Sequence, residues 1–185
     1  MKTCKIRLRS VTPYSQSKPY EVPKLAQELS KDYEARTWRE RMHYDSDDNV
    51  FIPLTSLKNC LSDTAKYLAM QIPGKGKSTY TKHFEAGIIV QDNIPLGVKK
   101  NEAESEWCFV PSDGRRGGGK RVWKCFPKFR KWEGVTTIHV LDEMITRDVM
   151  EAHLRAAGAF IGLGRFRPRN NGYYGRFEAE IMEWK

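Results

Sequence analysis

The chain has 185 residues, of which 39% are hydrophobic and 30% charged, and carries a formal net charge of +9. A chain of that length and balance is one globular domain, or one domain with a large insertion, and is neither disordered nor fibrous. No apolar run approaches bilayer-spanning length and MKTCKIRLRS lacks the apolar core of a signal peptide, so an intracellular location with no membrane partner is expected. The basic excess favours a polyanionic partner through counterion release. Cys4, Cys60, Cys108 and Cys125 are scattered without CxxC or Cys/His spacing, which predicts free, mostly buried thiols and no zinc site.

Residues 3 to 11, TCKIRLRSV, place Cys4, Ile6, Leu8 and Val11 nearly on one face and Lys5, Arg7 and Arg9 on the other, the period of a half-buried strand. The cationic face is either a solvated sheet surface or the floor of a nucleic-acid site. Three prolines mark residues 12 to 23 as a loop. Leu25, Ala26, Leu29 and Tyr33 then space like one face of a short helix over residues 24 to 33. Residues 36 to 44, RTWRERMHY, and the apolar Val50, Phe51 and Ile52 read as two strands joined by a DSDDN turn. Asp45, Asp47 and Asp48 are hard oxygen donors, but the central glycine and terminal glutamate of a calcium loop are missing, so a solvated turn and no metal are expected.

Residues 53 to 70, PLTSLKNCLSDTAKYLAM, predict a helix capped by Thr55 or Ser56, with Leu57, Cys60, Leu61, Thr64, Ala65 and Leu68 as its buried stripe. GKGKST follows, yet a phosphate-binding loop would require glycine at position 71 and a strand before it. What remains is a flexible cationic loop with Lys75, Lys77 and Lys82. Residues 83 to 90 and 105 to 110 read as short strands across a polar connection. PSDGRRGGGKR, residues 111 to 121, then sets four glycines among Arg115, Arg116, Lys120 and Arg121, as in a mobile loop or hairpin tip. VTTIHVL, residues 135 to 141, is the clearest β-branched strand. Thr146 is expected to cap a helix to about Ala157, with Val149, Met150, Ala152, His153 and Ala156 facing inward.

The run GAFIGLGRFRPRNNGYYGR, residues 158 to 176, holds five glycines, four arginines, four aromatics and no acid, and leads into a final strand over 177 to 184. Glycine lets a backbone approach closely and arginine offers a fixed fork of donors to phosphate. Composition alone leaves a plain connection and a cradle for a polyanion equally open. The element order predicts an α+β, ferredoxin-like (RRM-like) antiparallel sheet with two core helices and a flexible basic insertion.

Three stretches together resemble the RAMP superfamily, the RNA-recognition-like proteins of CRISPR effector complexes, nearest to the backbone subunits that line guide RNA. VFIPLTSLKNCLSDTA is similar to the family's strand and Ile-Pro-Gly-Ser-Ser-Leu-Lys-Gly turn opening the first core helix, with Pro53, Ser56, Leu57 and Lys58 matching. Leu54 and Asn59 stand where the family has glycines. GLGRFRPRNNGYYGRFEAEI is similar to the family's loop before its last strand, and IRLRSVTPYSQS to its opening strand and turn. The resemblance implies one RAMP-like domain over 1 to 185, with a thumb or finger inserted within 72 to 132, to which Lys75, Lys77, Arg115, Arg116 and Lys120 belong. It implies single-stranded RNA as partner, guide RNA and its complementary target included, together with copies of the chain or other complex subunits, in a prokaryotic or phage-encoded cytoplasmic protein without a cofactor. Ser56 and Lys58 would approach the RNA backbone from the helix start, and Arg165, Arg167, Arg169 and Arg176 from the Gly-rich side, with Arg7 and Arg9 on the sheet. Tyr173 and Tyr174 either stack on unpaired bases or pack at the strand edge.

The function expected is non-enzymatic RNA binding as a backbone-type subunit, with two alternatives: a RAMP-type endoribonuclease, or a phage-type protein that mimics or inhibits such a complex. For cleavage, His43, beside Arg39 and Arg41, is the nominee for general base, and Asp45 for metal-dependent chemistry. His139 and His153 read as structural.

Overall fold

In chain order the elements are β1 (Lys2–Ser10), β2 (Tyr14–Ser15), α1 (Ser30–Thr37), β3 (Asn49–Ile52), α2 (Leu54–Leu68), α3 (Thr81–Ala86), β4 (Ile88–Val90), β5 (Ile94–Lys99), β6 (Glu104–Pro111), β7 (Arg121–Phe129), β8 (Glu133–Val140), α4 (Arg147–Ala156) and β9 (Phe177–Trp184). The computed structural model describes every residue except Arg115, Arg116 and Gly118. The alternation of β1 buries Cys4, Ile6 and Leu8 completely and turns Lys5, Arg7 and Arg9 to the other face, whereas Val11, expected on the buried face, lies past the strand end and is exposed. β1 pairs antiparallel with β8 and β9, and β4 joins the far side of β8, so the sheet order is β4-β8-β1-β9. Helix α2 carries the chain from β1 towards β4, and α4 from β8 to β9. This is the α+β ferredoxin-like arrangement that the element order predicts. Both helices cover the face holding Ile6, Leu8, Ile138 and Val140, each of whose burial removes apolar area worth about 1.5–3 kcal/mol.

The core helices follow most of their patterns, except that Leu68, Val149 and Ala152 are only half-buried and Leu154, not expected inward, is buried. Leu57, Cys60, Leu61, Thr64 and Ala65 form the buried stripe of α2, and Met150, His153, Leu154 and Ala156 that of α4, whose cap Thr146 accepts the Val149 N–H at 3.3 Å. Helix α2 starts at Leu54, before the expected caps Thr55 and Ser56. Its first N–H is instead satisfied by Asn93 Oδ1 at 2.9 Å, a partner distant in sequence.

Between β4 and β8 the chain leaves this sheet. β5 pairs with β3, and the long β6–β7 hairpin pairs with β2. Strand β5 lies in the stretch read as a polar connection, and of the strand expected over 83 to 90 only Ile88–Val90 forms one, residues 83 to 86 belonging to α3. The GKGKST loop closes on itself through a Gln71–Thr79 bridge, with Ile72 and Tyr80 buried beneath it. Residues 36 to 44 are also not a strand: α1 runs into a 3-10 turn, Trp38–Arg41, packed on β7. The expected helix over 24 to 33 is delayed to Ser30, because Gln27 takes a left-handed backbone (φ 60°) and Leu25 and Leu29 find no core. Glu34 explains the local override. Its buried carboxylate accepts from Arg41 at 2.9 Å, from Lys124 and from the Cys125 N–H, tying α1 to β7 across about ninety residues.

His153 is fully buried, stacks on Phe84 at 4.0 Å and bonds the Val149 carbonyl at 2.7 Å, while its Nε2 has no partner among the described residues. Burial pushes its pKa below the ordinary 6.5, so the ring is neutral in the fold. Because the unfolded chain takes up that proton first, stability is whole above pH 6.5 and declines as pH falls towards the folded value. Melting curves at stepped pH should show this decline in the wild type, and a smaller one in His153→Met.

Candidate nucleic-acid interface

The Gly-rich loop is laced to the turn after β1. Val11 N–H donates to the Arg176 carbonyl at 2.9 Å, Gly175 N–H to Pro13 at 2.7 Å, and Arg165 N–H to Ser15 at 2.8 Å. Such contact needs glycine: a Cβ on Gly164 (φ +76°) would strike the Ser15 carbonyl and the Tyr14 ring, and one on Gly175 (φ +77°) the Leu163 carbonyl. Gln16, 2% exposed, fastens the same turn to a third segment, donating to the Phe51 carbonyl at 2.7 Å and accepting the His43 N–H at 2.6 Å.

Where these three segments meet there is a cleft of about 320 Å³, walled by Ser17 and Lys18, by His43, by Pro53 and Ser56 at the start of α2, and by Gly164, Arg165 and Arg167. Lys18 has no carboxylate within 4 Å among the described residues and lies 5.3 Å from the Tyr44 ring. Arg167 meets Asp63 only at 3.8 Å, and its Nε is buried without a partner among the described residues. Burial, reinforced by Lys18, holds the His43 pKa below the usual value, leaving a neutral imidazole on the wall at pH 7. The cleft is therefore cationic, and offers hydroxyl, imidazole and guanidinium donors to an anion.

The remaining site residues are distributed unevenly. Arg165 lies on the wall, but its guanidinium is engaged: Nη2 bonds Glu106 at 3.1 Å, Nε bonds Ser15 Oγ at 3.1 Å, and the group stacks 3.8 Å over Phe126. Tyr174 donates to the same Glu106, which also holds Lys128 at 2.9 Å, while Tyr173 is 59% exposed. Lys58 turns away from the cleft and caps α3, donating to the Phe84 and Glu85 carbonyls at 3.0 and 2.9 Å. Arg169 reaches Asp63 at 3.5 Å, and Arg176 donates to the Ala159 and Tyr173 carbonyls.

Arg7 and Arg9 are on the open sheet face, paired with Glu133 at 3.4 and 3.2 Å and with Glu180 at 3.7 and 3.9 Å. Lys75 and Lys77 are exposed on the closed 71–79 turn, and Lys120 at the end of the hairpin; Arg115 and Arg116 lie outside the described residues. Asp45 is an exposed turn carboxylate that accepts from Asn49 and from the Asp47 N–H. No group of three His, Cys, Asp or Glu among the described residues could hold a metal ion, and no helix among them is long and apolar enough to cross a membrane. Gln16 and Lys18 are the site residues that local pattern does not expose. Gln16 lies within IRLRSVTPYSQS and Lys18 just beyond its end, but nothing local shows that Gln16 would be a buried clamp.

Solved structures share this fold. A chain of the "Cryo-EM structure of the Type III-B Cmr-beta bound to cognate target RNA" superposes with a TM-score of 0.51 at 12% identity, covering 99% of this chain and 61% of that one. The present chain thus spans about three fifths of its neighbour, and the likeness is one of fold. No protein-family model matches the sequence, and no curated relative matches it.

Proposed function

We propose that the protein binds single-stranded RNA in the cationic cleft, as a RAMP-type backbone subunit of an RNA-guided ribonucleoprotein complex, with guide RNA as the bound strand and other subunits or copies of itself as neighbours. The observation that carries this reading is the convergence of the three RAMP-like stretches on one cleft with a lysine unpaired among the described residues and a weakly paired arginine. The net charge of +9 supports it, and so does the fold shared with a chain from an RNA-bound complex. The Ser56 hydroxyl offers a donor to phosphate, while Lys18 and Arg167 supply charge.

Gel shifts with labelled single-stranded RNA, single-stranded DNA and duplex at two salt concentrations test the proposal. Single-stranded RNA should bind, weakening steeply with salt. Lys18→Ala and Arg167→Ala should each lower affinity across sequences and reduce the logarithmic salt slope by about 0.7. Absent or salt-insensitive binding would sink the idea.

The neutral His43 on the wall favours a second reading, a RAMP-type endoribonuclease with His43 as general base. The same gels separate the two, since cleavage products that vanish in His43→Ala while the shift persists would make the protein an enzyme.

A further inference from the structure

Ser56, Asp63 and Tyr67 are seven and four residues apart, which at 3.6 residues per turn aligns them in one stripe along α2, with Tyr67 about 16 Å beyond Ser56. Ser56 lines the cationic cleft, and Asp63 lies between Arg167 and Arg169. At the far end Tyr67 borders a separate cavity of about 310 Å³ with Phe160, Pro168, Arg169 and Arg176.

Two features of this cavity specify its ligand. Tyr67 and Phe160 are 54% and 52% exposed, with ring centroids 5.5 Å apart and planes tilted by 32°, a paired aromatic surface left open beside a cavity. Phe160 stands on the π-turn Ala157–Ile161 that ends α4. The lining also contains two guanidinium groups and no carboxylate. Arg176 is held on the wall by the Ala159 and Tyr173 carbonyls at 3.3 and 3.2 Å, and no carboxylate lies within 4 Å of it among the described residues. Flat aromatic surface combined with Arg176, uncompensated among the described residues, and Arg169, only loosely paired with Asp63 at 3.5 Å, fits a planar base that carries a phosphate.

We propose that this cavity is a base-stacking site for single-stranded RNA: one nucleobase lies on Tyr67 and Phe160, and the adjoining phosphate meets Arg169 and Arg176. The site is distinct from the cleft and rests on the RNA-binding reading, with the α2 stripe leading from one to the other.

The test uses the full chain, a labelled single-stranded RNA, and the same strand carrying abasic riboses. Tyr67→Ala/Phe160→Ala should weaken binding of the normal strand about tenfold or more, with the salt slope unchanged, and should leave abasic-strand affinity unchanged. Tyr67→Phe/Phe160→Tyr, which keeps both rings, should bind like wild type. Because both side chains are half exposed, the alanine pair should melt with the wild type. Equal affinity of the alanine pair and wild type, or equal loss on both strands, overturns the site. So does a changed oligomeric state with RNA binding intact, which would make the rings a protein contact. If Lys18→Ala/Arg167→Ala binds normally while the ring variant is impaired, the cleft reading fails and the stacking site stands; the reverse pattern removes the stacking site and keeps the cleft. Failure of the wild type to bind either strand removes both.

Discussion

Glu34→Ala is expected to lower the melting temperature by roughly 6–20 °C, the consequence of about 3–5 kcal/mol at about 2–4 °C per kcal/mol for a chain of this size. The Glu34 side chain is 2% exposed and Arg41 beside it 13%, so removing the carboxylate strands the guanidinium in a poorly solvated position. Arg41 also lies 5.0 Å from both the Tyr20 and Phe126 rings, which restricts its escape to solvent. The Cys125 N–H loses an acceptor in the same step. Thermal unfolding followed by circular dichroism measures the loss, and a change below about 1 kcal/mol would show that water replaces the carboxylate. Burial works to raise the Glu34 pKa, but the bonds from Lys124 and Arg41 prevail and hold it below the ordinary 4.5. Its contribution is thus present above pH 4.5 and lost as pH falls through the folded value. That acid-sensitive part of the stability should be missing from Glu34→Ala.

Gly164→Ala is expected to separate the Gly-rich loop from the turn after β1 and so to disrupt the cleft. A left-handed backbone costs an alanine about 1–2 kcal/mol, and here the new methyl also meets the Ser15 carbonyl and the Tyr14 ring, neither of which has room to yield. The displaced Ser15 carbonyl is the acceptor for the Arg165 N–H, and Arg165 and Arg167 stand on the same loop. Gly76 provides the control, being equally left-handed (φ +60°) with nothing within 4 Å of an added Cβ. Both variants carry the backbone strain; only Gly164→Ala should lose further stability and, on the RNA-binding reading, affinity for single-stranded RNA. Equal melting temperatures and equal affinities would show that the loop adjusts to the methyl.

Much of the sheet and both core helices are legible from local pattern, because a half-buried strand and an amphipathic helix are written with periods of two and 3.6 residues. The stripe Leu57, Cys60, Leu61, Thr64, Ala65 and the alternation Cys4, Ile6, Leu8 need no distant information. Elements whose conformation depends on remote partners are not legible in this way. RTWRERMHY looks strand-like until Glu34 engages Lys124 and Cys125, and the start of α2 depends on Asn93, which supplies the cap expected from Thr55 or Ser56.

The candidate site divides along the same line. Sequence alone determined an excess of cations, a glycine-rich loop able to accept close backbone contact, and a helix start placed to receive it, since charge, chain freedom and periodicity are properties of short stretches. Only the tertiary structure decided which cations remain available. Glu106 engages Arg165 and Lys128, Glu133 and Glu180 engage Arg7 and Arg9, and the carbonyl end of α3 engages Lys58, whereas Lys18 and Arg167 are left facing the cleft. A charge is compensated by whatever lies within a few ångströms of it, and the fold alone brings residues so distant in the chain to that separation.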